Sequence, residues 1–332
     1  MNTSVANTYN RKKLNFTHGS GIYLFSDENK KYIDLAAGIA VNLLGHSNKK
    51  LINALHKQSK KLWHVSNLYK IEEQEQLATK LTNLSFASKV FFCNSGAEAV
   101  ECSIKAARRY QFLKGKREKK NIITFTGSFH GRTLGTIAAS NNANHLEGFG
   151  LPLEGFINIE RDNIDKLLGA LDENTAAILI EPIQGEGGIN VFDTDFLKKV
   201  ETIARKKDIL LILDEVQSGM GRTGKLFAHE LFNIKPDIMS LAKGLGGGFP
   251  VGACLMKDSV ANAMNPGTHG STFGGNPLAM AVGNCVTDIV SDPIFLADVE
   301  KKANLFHKNL TEIASEYPSV ISKIKGLGLM IG

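Results

Sequence analysis

Apolar residues along the chain cluster in short runs that alternate with longer stretches of helical periodicity. The run Ile209–Leu213 is the clearest, because Asp208 precedes it and Asp214 follows it. An uninterrupted run of this kind is typical of a strand that is buried on both faces of a parallel sheet. Five further runs predict strands: Val90–Cys93, Ile122–Phe125, Ala177–Ile180, Ile238–Leu241 and Val251–Leu255. The pattern therefore predicts an α/β fold with a doubly wound, largely parallel sheet.

Stretches with apolar residues at helical spacing separate most of these strands. The predicted helices are Leu51–Lys61, Glu72–Leu84, Ala97–Phe112, Ile164–Leu171 and Asp195–Lys206. Nearer the N-terminus, alternating runs at Gly21–Phe25 and Lys31–Leu35 surround a polar turn and predict a β-hairpin. Beyond the sheet, helices at Leu278–Val290 and Phe295–Tyr317 lead into a smaller second unit, whose last segment, 320–332, has the character of a strand.

Length and charge narrow the picture further. A chain of 332 residues exceeds one typical domain and suggests two. The net charge is +6, but the 39 Lys and Arg residues are mostly interspersed with the 33 Asp and Glu residues. Two dense basic runs, Lys57–Lys61 and Lys114–Lys120, contain no aromatic residues, so we interpret them as solvated faces. A nucleic-acid partner is not expected.

Cysteine spacing and hydropathy point to a cytoplasmic protein. The four cysteines, Cys93, Cys102, Cys254 and Cys285, lie far apart without a CxxC pair, so neither a metal site nor a disulfide framework is predicted. The N-terminus has no apolar signal region, and no apolar run approaches the roughly 18 residues that a membrane helix needs. We therefore expect a reducing cytoplasm and no membrane association.

A glycine-rich segment, Gly219–Leu226, imitates nucleotide-binding loops. It satisfies GxGxxG and comes within one residue of GxxxxGK[ST], but Leu226 stands where a hydroxyl must bind magnesium, and no strand directly precedes the segment. The apolar run that ends in Asp214-Glu215 nevertheless imitates the acid of a nucleotide hydrolase, so that enzyme class remains an alternative. His229 begins a sequence without the second histidine of HExxH, and no GxSxG elbow occurs, which argues against a zinc protease or a serine hydrolase.

The turn Asn94-Ser95-Gly96-Ala97 follows a predicted strand and begins a predicted helix. Such a turn exposes the backbone N–H groups of Gly96 and Ala97 at a helix N-terminus, where the dipole favours a phosphate. Ser95 is also a good N-cap residue, so an ordinary helix cap explains the turn equally well.

Three other segments carry candidate chemistry. After the strand Ile122–Phe125, Phe129 could stack on a flat ring and Arg132 suits a carboxylate, although a buried aromatic and a surface ion pair explain this segment better when it is taken alone. Glu186 lies among glycines and is expected to face a cleft, whereas Glu181 could merely accept a structural hydrogen bond. Finally, Ser271 and Thr272 offer hydroxyl donors, in a stretch that would also serve as a plain loop.

Asp214 and Lys243 each follow a buried strand, and the ligands of open α/β sheets bind beyond the carboxyl ends of strands. The glycines after Lys243 suit an amine in a cramped, partly desolvated site. One cofactor explains the acid, the lysine, the aromatic ring and the phosphate-ready turn together. Pyridoxal phosphate needs a lysine for a Schiff base, an acid at its pyridine nitrogen, a stacked side chain and a phosphate cradle.

Over essentially its whole length the sequence closely resembles the class III pyridoxal-phosphate aminotransferases, and within them the acetylornithine and ornithine aminotransferases. The motifs that carry the resemblance are Ser95–Ala99, Phe129–Thr133, Glu181–Gly188, Asp214–Gln217 and Ser271–Pro277. The resemblance implies a fold-type I transferase. Its large cofactor-binding domain would span residues 56–277, and its smaller α+β domain would be formed by residues 1–55 and by residues 278–332.

The resemblance also implies the roles of residues around the cofactor. Lys243 would be the catalytic residue, which forms the Schiff base with pyridoxal phosphate and afterwards moves a proton. Asp214 would pair with the pyridine nitrogen, and Gln217 would reach the phenolic oxygen. Val216 and Phe129 would lie on the two faces of the ring.

Further roles follow from the same resemblance. Gly96–Ala97 would hold the phosphate together with Thr272 from the neighbouring subunit of a homodimer, so that the active site lies at the subunit interface. Arg132 and Ser271 would contact the substrate. Glu186 would be the gate residue, which neutralises a second carboxylate-binding arginine when an ω-amino substrate enters and swings away for 2-oxoglutarate.

In the family, that second arginine lies beyond the motif that this chain has at Gly326–Gly332, so the C-terminal part of the smaller domain is expected to be truncated. The implied reaction transfers the amino group of N2-acetylornithine to 2-oxoglutarate, giving N-acetylglutamate 5-semialdehyde and glutamate in arginine biosynthesis. Two alternatives stay open. One is another ω-amino donor, namely succinylornithine, succinyl-diaminopimelate, ornithine or 4-aminobutyrate. The other is a truncated, non-catalytic remnant that binds the cofactor.

Overall fold

The computed structural model describes residues 4–332. The longer strands are β1 (Phe16–Ser20), β2 (Tyr23–Ser26), β3 (Lys31–Ile33), β4 (Lys89–Cys93), β5 (Asn121–Phe125), β6 (Phe156–Ile159), β7 (Thr175–Ile180), β10 (Leu210–Asp214), β11 (Ile238–Leu241) and β12 (Gly252–Met256). Four two-residue strands complete the set: β8 (Ile183–Gln184), β9 (Asn190–Val191), β13 (Gly326–Leu327) and β14 (Met330–Ile331). All six predicted central strands are present.

Twelve α-helices are found among residues 4–332, and they are numbered in chain order. They are α1 (Ala37–Ala40), α2 (Lys49–Ser59), α3 (Glu72–Asn83), α4 (Gly96–Leu113), α5 (Leu134–Ser140), α6 (Ala143–Leu146), α7 (Ile164–Ala170), α8 (Thr194–Lys206), α9 (His229–Phe232), α10 (Asp258–Ala261), α11 (Pro277–Val290) and α12 (Pro293–Glu316). The seven predicted helices correspond to α2, α3, α4, α7, α8, α11 and α12, so the helical periodicity located all the long helices.

Seven strands form the central sheet in the order β4-β12-β11-β10-β7-β5-β6. Neighbouring strands from β11 to β6 are parallel, whereas β12 runs antiparallel to both β11 and β4. The prediction of a largely parallel α/β sheet is therefore confirmed. The one central strand that the pattern did not predict is β6, whose four residues are only half-buried at the edge of the sheet.

Side chains of the central strands point alternately into two apolar layers. On β10, Leu211 and Leu213 pack in a cluster with Phe196 and Val200 of α8. Ile212 faces the opposite cluster, which contains Val100 and other residues of α4. Because helices cover both faces, β10 is apolar at every position before its terminal acid.

Two smaller structures flank the sheet. The predicted hairpin is present as β2 and β3, and β1 extends it to a three-stranded antiparallel sheet. Near the other end, β13 pairs with β14, so the strand-like segment after residue 320 forms a short hairpin. No single helix among residues 4–332 has the length and apolar character of a membrane span; α11 and α12 meet that criterion only as a pair bent by 69°.

The sheet direction brings five chain segments to one edge. Because β4 and β11 are both antiparallel to β12, they run in the same direction as β10, β7 and β5. The residues that follow these strands therefore meet at a shared carboxyl edge: Asn94 after β4, Thr126 after β5, Glu181 after β7, Glu215 after β10 and Ala242 after β11. Ligands of open α/β sheets bind at such an edge.

Candidate active site

A cavity of about 440 Å³ opens at the carboxyl edge of the central sheet. Every residue that we predicted for the site lines this cavity, apart from Ser271 and Thr272: Gly96, Ala97, Phe129, Arg132, Glu186, Asp214, Val216, Gln217 and Lys243. A volume of this size is typical of small-molecule and cofactor sites. The structure thus brings together residues that lie up to 147 positions apart in the sequence.

Asp214 forms a buried pair with His130. The Nδ1 atom of His130 lies 2.8 Å from Oδ2 of Asp214, and because a carboxylate only accepts, Nδ1–H is the donor. The backbone N–H of Val216 donates to the other carboxylate oxygen at 3.1 Å. Burial by itself lowers the pKa of His130, but the hydrogen bond and charge of Asp214 outweigh it and raise the pKa. Asp214 is 4% exposed, so its orientation is well fixed.

Glu181 is a second buried acid on the cavity wall. Its Oε1 accepts the backbone N–H of Phe129 at 2.7 Å, and its Oε2 accepts that of Gly185 at 3.3 Å. These contacts fit the structural role that the sequence left open for Glu181. Burial raises the pKa of this carboxyl group to about 7. The charge of His130 lowers that pKa, and the charge of Asp214 raises it. A carboxyl group with such a pKa can hold a proton near neutral pH.

Lys243 lies directly beyond β11, at the start of a short 3₁₀ turn. Its φ of 41° falls in the left-handed region, a strained conformation that concentrates at functional sites. Burial lowers the pKa of its amine, although the charges of Asp214, Glu181 and Glu186 oppose the shift. In the part of the chain that the structure describes, Nζ has no hydrogen-bond partner. A half-buried amine in this setting is well suited to nucleophilic and proton-transfer chemistry.

The first turn of α4 forms one wall of the cavity. Ser95 is the N-cap, and its hydroxyl accepts the N–H of Glu98 at 3.3 Å while it donates to the Glu98 carboxylate at 3.1 Å. The serine therefore caps the helix. The N–H groups of Gly96 and Ala97 lack intrahelical acceptors because of their position, so the cap leaves the phosphate prediction open. An anion at this wall would meet backbone donors.

Phe129 and Arg132 lie close together at the cavity wall. The Arg132 guanidinium carbon lies over the Phe129 ring, 5.6 Å from its centroid. The ring of His145 meets the Phe129 ring edge-on, with 5.9 Å between the ring centroids. Burial, and to a smaller extent the charge of Arg132, lowers the pKa of His145. Arg132 and Glu186 are exposed toward the cavity mouth, where a charged substrate group would enter.

Two glycines allow the site residues to approach. A Cβ on Gly185 would lie 1.3 Å from Oε1 of Gln217, so only glycine permits the observed position of that amide. A Cβ on Gly96 would similarly lie 2.7 Å from Cγ1 of Val216. The turn at the start of α4 and the residues that follow Asp214 are therefore in close contact across the cavity.

Ser271 and Thr272 lie outside the cavity wall of their own chain. The Ser271 hydroxyl accepts from the side chain of Asn94 at 3.2 Å, and Asn94 is itself a lining residue. Thr272 is exposed. An exposed position leaves Thr272 available to a neighbouring subunit, but within one chain it has no contact with the site.

Sequence reasoning gave no site role to three residues that line the cavity, namely Asn94, His130 and Glu181. His130 lies inside the motif Phe129–Thr133, Asn94 lies in the turn before α4, and Glu181 is expected only to accept a structural hydrogen bond. For His130, the available signal is its place in the segment that follows a buried strand, on the same predicted edge as Asp214. The pairing itself required the sheet order, because β5 and β10 are separated in space by β7.

The residues fit pyridoxal phosphate. The unpaired amine of Lys243, the carboxylate of Asp214, the ring of Phe129 and the free N–H groups at the start of α4 all line one cavity. These are the groups that bind an aldehyde, a pyridinium nitrogen, a flat ring and a phosphate. Among residues 4–332 no group of three or more His, Cys, Asp or Glu side chains is arranged to hold a metal ion.

Comparisons with known proteins agree with this chemistry. The family model described as aminotransferase class-III matches residues 4–332. The chain is 54% identical to the acetylornithine aminotransferase of Mesorhizobium japonicum, over 98% of this chain and 82% of that relative. It is 48% identical to the acetylornithine aminotransferase of Aquifex aeolicus, over 99% of this chain and 86% of that relative.

Solved structures show the same likeness. The ornithine aminotransferase from Toxoplasma gondii has a TM-score of 0.94 and 31% identity, covering 98% of this chain and 78% of that one. The N-acetylornithine aminotransferase from Stenotrophomonas maltophilia has a TM-score of 0.84 and 38% identity, covering 97% of this chain and 80% of that one. The protein therefore belongs to the class III aminotransferases, a family of pyridoxal-phosphate-dependent enzymes.

Proposed function

We propose that the protein transfers the amino group of N2-acetylornithine to 2-oxoglutarate, giving N-acetylglutamate 5-semialdehyde and glutamate in arginine biosynthesis. The observation that carries the proposal is the meeting of the Lys243 amine, the Asp214–His130 pair and the start of α4 in one cavity. The donor is supported by relatives named acetylornithine aminotransferase, which are 54% and 48% identical to this chain.

In this proposal the cofactor is held by residues that surround the cavity. The N–H groups of Gly96 and Ala97 would hold the phosphate, and Phe129 and Val216 would hold the ring. Asp214 would pair with the pyridine nitrogen. Its own charge is held in place by the Nδ1–H of His130 at 2.8 Å, which suits an acid that must keep that nitrogen protonated. Gln217 approaches the phenolic oxygen from a position that Gly185 leaves open, and Thr272 completes the phosphate site from the partner subunit.

When bound, pyridoxal phosphate supplies an aldehyde that takes up the amino group and a ring that stabilises charge on the carbon losing its proton. Lys243 is proposed to act both before and after the carbon loses its proton. Because burial lowers its pKa, Nζ is neutral more often than an exposed lysine, so it can attack a carbonyl carbon and later carry the proton.

Arg132 and Glu186 are proposed to select the substrates. The planar guanidinium of Arg132 binds a carboxylate with two parallel hydrogen bonds, and both substrates carry carboxylates. Glu186 is proposed to gate the cavity, neutralising a carboxylate-binding arginine when an ω-amino donor enters and moving aside for 2-oxoglutarate. Ser271 contributes a hydroxyl contact to the amino donor.

We propose a homodimer with its active sites at the subunit interface, in the cytoplasm, with a large domain over residues 56–277 and a smaller one from residues 1–55 and 278–332. Exposed apolar side chains near the 271–275 segment support such an interface. Trp63 is 64% exposed, Tyr69 is 66% exposed and Phe273 is 60% exposed. Side chains of this size on a surface are typical of a contact with another protein.

Ornithine is the second candidate donor. The ornithine aminotransferase from Toxoplasma gondii has a TM-score of 0.94 to this chain, although its identity is only 31%. The two donors differ by an acyl group, so the backbone likeness does not distinguish them.

A donor screen tests the function. Purified protein loaded with pyridoxal phosphate is offered N2-acetylornithine, succinylornithine, ornithine and 4-aminobutyrate, with 2-oxoglutarate as acceptor and glutamate as the measured product. We expect the highest kcat/KM with N2-acetylornithine. A higher kcat/KM with ornithine would identify ornithine as the amino donor instead. Binding of the cofactor without conversion of any donor would support a non-catalytic protein instead.

A further inference from the structure

The phosphate-binding turn and the 271–275 segment are joined through one amide side chain. The Nδ2 atom of Asn94 lies 3.0 Å from Oε1 of Glu98 and 3.2 Å from Oγ of Ser271. A carboxylate only accepts hydrogen bonds, so the atom that faces Glu98 must be the nitrogen. Its two hydrogens are thereby both assigned, one to Glu98 and one to Ser271.

Glu98 holds Asn94 in this orientation. Its other oxygen, Oε2, accepts the backbone N–H of Asn94 at 2.8 Å and the hydroxyl of Ser95 at 3.1 Å. Three donors from the turn therefore converge on one half-buried carboxylate. The Asn94 side chain cannot turn over without placing its carbonyl oxygen against this acid, which would cost a charge-assisted hydrogen bond.

The Ser271 hydroxyl oxygen receives two N–H donors. One is Asn94, and the other is the backbone N–H of Gly274 at 3.0 Å. A hydroxyl oxygen has two acceptor positions and one hydrogen to donate. With both acceptor positions filled, Ser271 is left with a donor role toward any further partner.

We propose that Asn94, held by Glu98, is a positioning residue that makes the Ser271 hydroxyl an obligate hydrogen-bond donor to an acceptor oxygen of the amino donor. The inference rests on the proposed function, since it takes Ser271 to be a substrate contact. Both a carboxylate oxygen and an acyl carbonyl oxygen of the donor can accept this hydrogen bond. Comparing donors with and without the acyl group shows which oxygen accepts it.

A double-mutant cycle between Asn94→Ala and Ser271→Ala tests the proposal. Each single variant is expected to raise KM for N2-acetylornithine about tenfold, the effect of one hydrogen bond, with a smaller change in kcat. Because Asn94 acts through Ser271, the double variant is expected to match Ser271→Ala. Additive losses would overturn the proposal.

A comparison of two donors identifies the acceptor oxygen of the substrate. If Ser271→Ala raises KM equally for N2-acetylornithine and for ornithine, the acceptor is the carboxylate that the two donors share. If KM rises only for N2-acetylornithine, the acceptor is the acyl oxygen.

Asn67 provides the matched control. Its Nδ2 donates to the backbone carbonyl oxygens of Ser271 at 3.1 Å and Gly274 at 2.9 Å, so it holds the same segment without touching the hydroxyl. Substitution Asn67→Ala is therefore expected to be additive with Ser271→Ala. Equal non-additivity for Asn67 and Asn94 would show general loosening of the segment and overturn the specific role of Asn94.

Hydrogen exchange in the cofactor-free protein separates this inference from the proposed function. The amide of Gly274 donates to the Ser271 hydroxyl, so Asn94→Ala is expected to raise its exchange rate several-fold while the amides of α4 beyond its first turn stay unchanged. An unchanged rate at Gly274 would overturn the inference alone. A wild-type protein that converts no ω-amino donor would overturn the proposed function, together with the substrate contact of Ser271, whatever the exchange shows.

Discussion

Lys243 combines a strained backbone, a half-buried amine and three nearby carboxylates. We predict that Lys243→Ala lowers kcat by about 10³-fold or more, because the variant loses both the nucleophile and the proton carrier. The measurement is glutamate formation, together with borohydride reduction and peptide mapping of the cofactor-loaded wild type. Lys225→Ala is the control, since Lys225 is exposed outside the cavity. Label on a lysine other than Lys243 would contradict the assignment.

Glu181 predicts a pH dependence of stability. Its pKa of about 7 lies above the ordinary value of 4.5, so the folded protein binds this proton more tightly than the unfolded chain does. The resulting stability is full below about pH 4.5 and is lost as the pH rises through about 7. Relative to Glu181→Gln, we expect the wild type to lose about 2 kcal/mol of unfolding free energy between about pH 5 and about pH 8.

Urea unfolding at the two pH values measures this difference. The exposed Glu173→Gln is the matched control, because it removes a carboxylate from the surface rather than from the cavity wall. The prediction is wrong if the difference between wild type and Glu181→Gln is the same at both pH values.

At the scale of elements, α3 and α11 pack closely at a glycine. A Cβ on Gly283 of α11 would lie 2.7 Å from Cδ2 of Leu77, which is fully buried on α3. The glycine therefore lowers helix propensity in α11 but allows the close approach of the two helices.

This contact predicts that Gly283→Ala changes the free energy of unfolding in opposite directions in two backgrounds. We expect Gly283→Ala to destabilise the wild type by about 1 kcal/mol, since overpacking exceeds the gain in helix propensity. Leu77→Ala should cost about 3 kcal/mol through the cavity it leaves. In the Leu77→Ala background, Gly283→Ala is then expected to stabilise the protein, as measured by urea unfolding. Destabilisation of the same size in both backgrounds would argue against the clash.

The helical spacing of apolar residues located the long helices well because that spacing is a local feature of the sequence. The structure adds the caps: Asn48, Asp193, Asn276 and Asp292 each accept a backbone N–H from the first turn of a long helix. Strand β6 was missed for an equally physical reason. It lies at the sheet edge, is half-buried and carries Asn158 in its middle, so its apolar pattern is short and interrupted.

At the scale of the whole molecule, subunit complementation tests the proposed dimer. Lys243→Ala and Thr272→Ala chains are co-expressed with different tags, and the hybrid is purified. If Thr272 acts across the interface, one site of the hybrid combines an intact Lys243 with an intact Thr272. We expect the hybrid to regain about half of the wild-type activity, one intact site of two. If Thr272 acts in its own chain, the hybrid has no intact site, and its activity is about half that of the Thr272→Ala protein, because only one of its two sites retains Lys243.

The sequence by itself determined the fold class, the central strands β4, β5, β7, β10, β11 and β12, and nine of the residues that line the cavity. It could do so because buried runs, helix caps and glycine-rich turns are local features, and because parallel strands must place their carboxyl ends at one edge.

Only the tertiary structure decided how those groups are paired. Asp214 and Glu215 are neighbours in the sequence, yet Asp214 turns to His130 in the cavity while Glu215 accepts backbone and ring N–H groups of His229 on the far side. Likewise, the bond between Asn94 and Ser271 joins residues that lie 177 positions apart. Such contacts depend on sheet order and side-chain direction, and a local pattern contains neither.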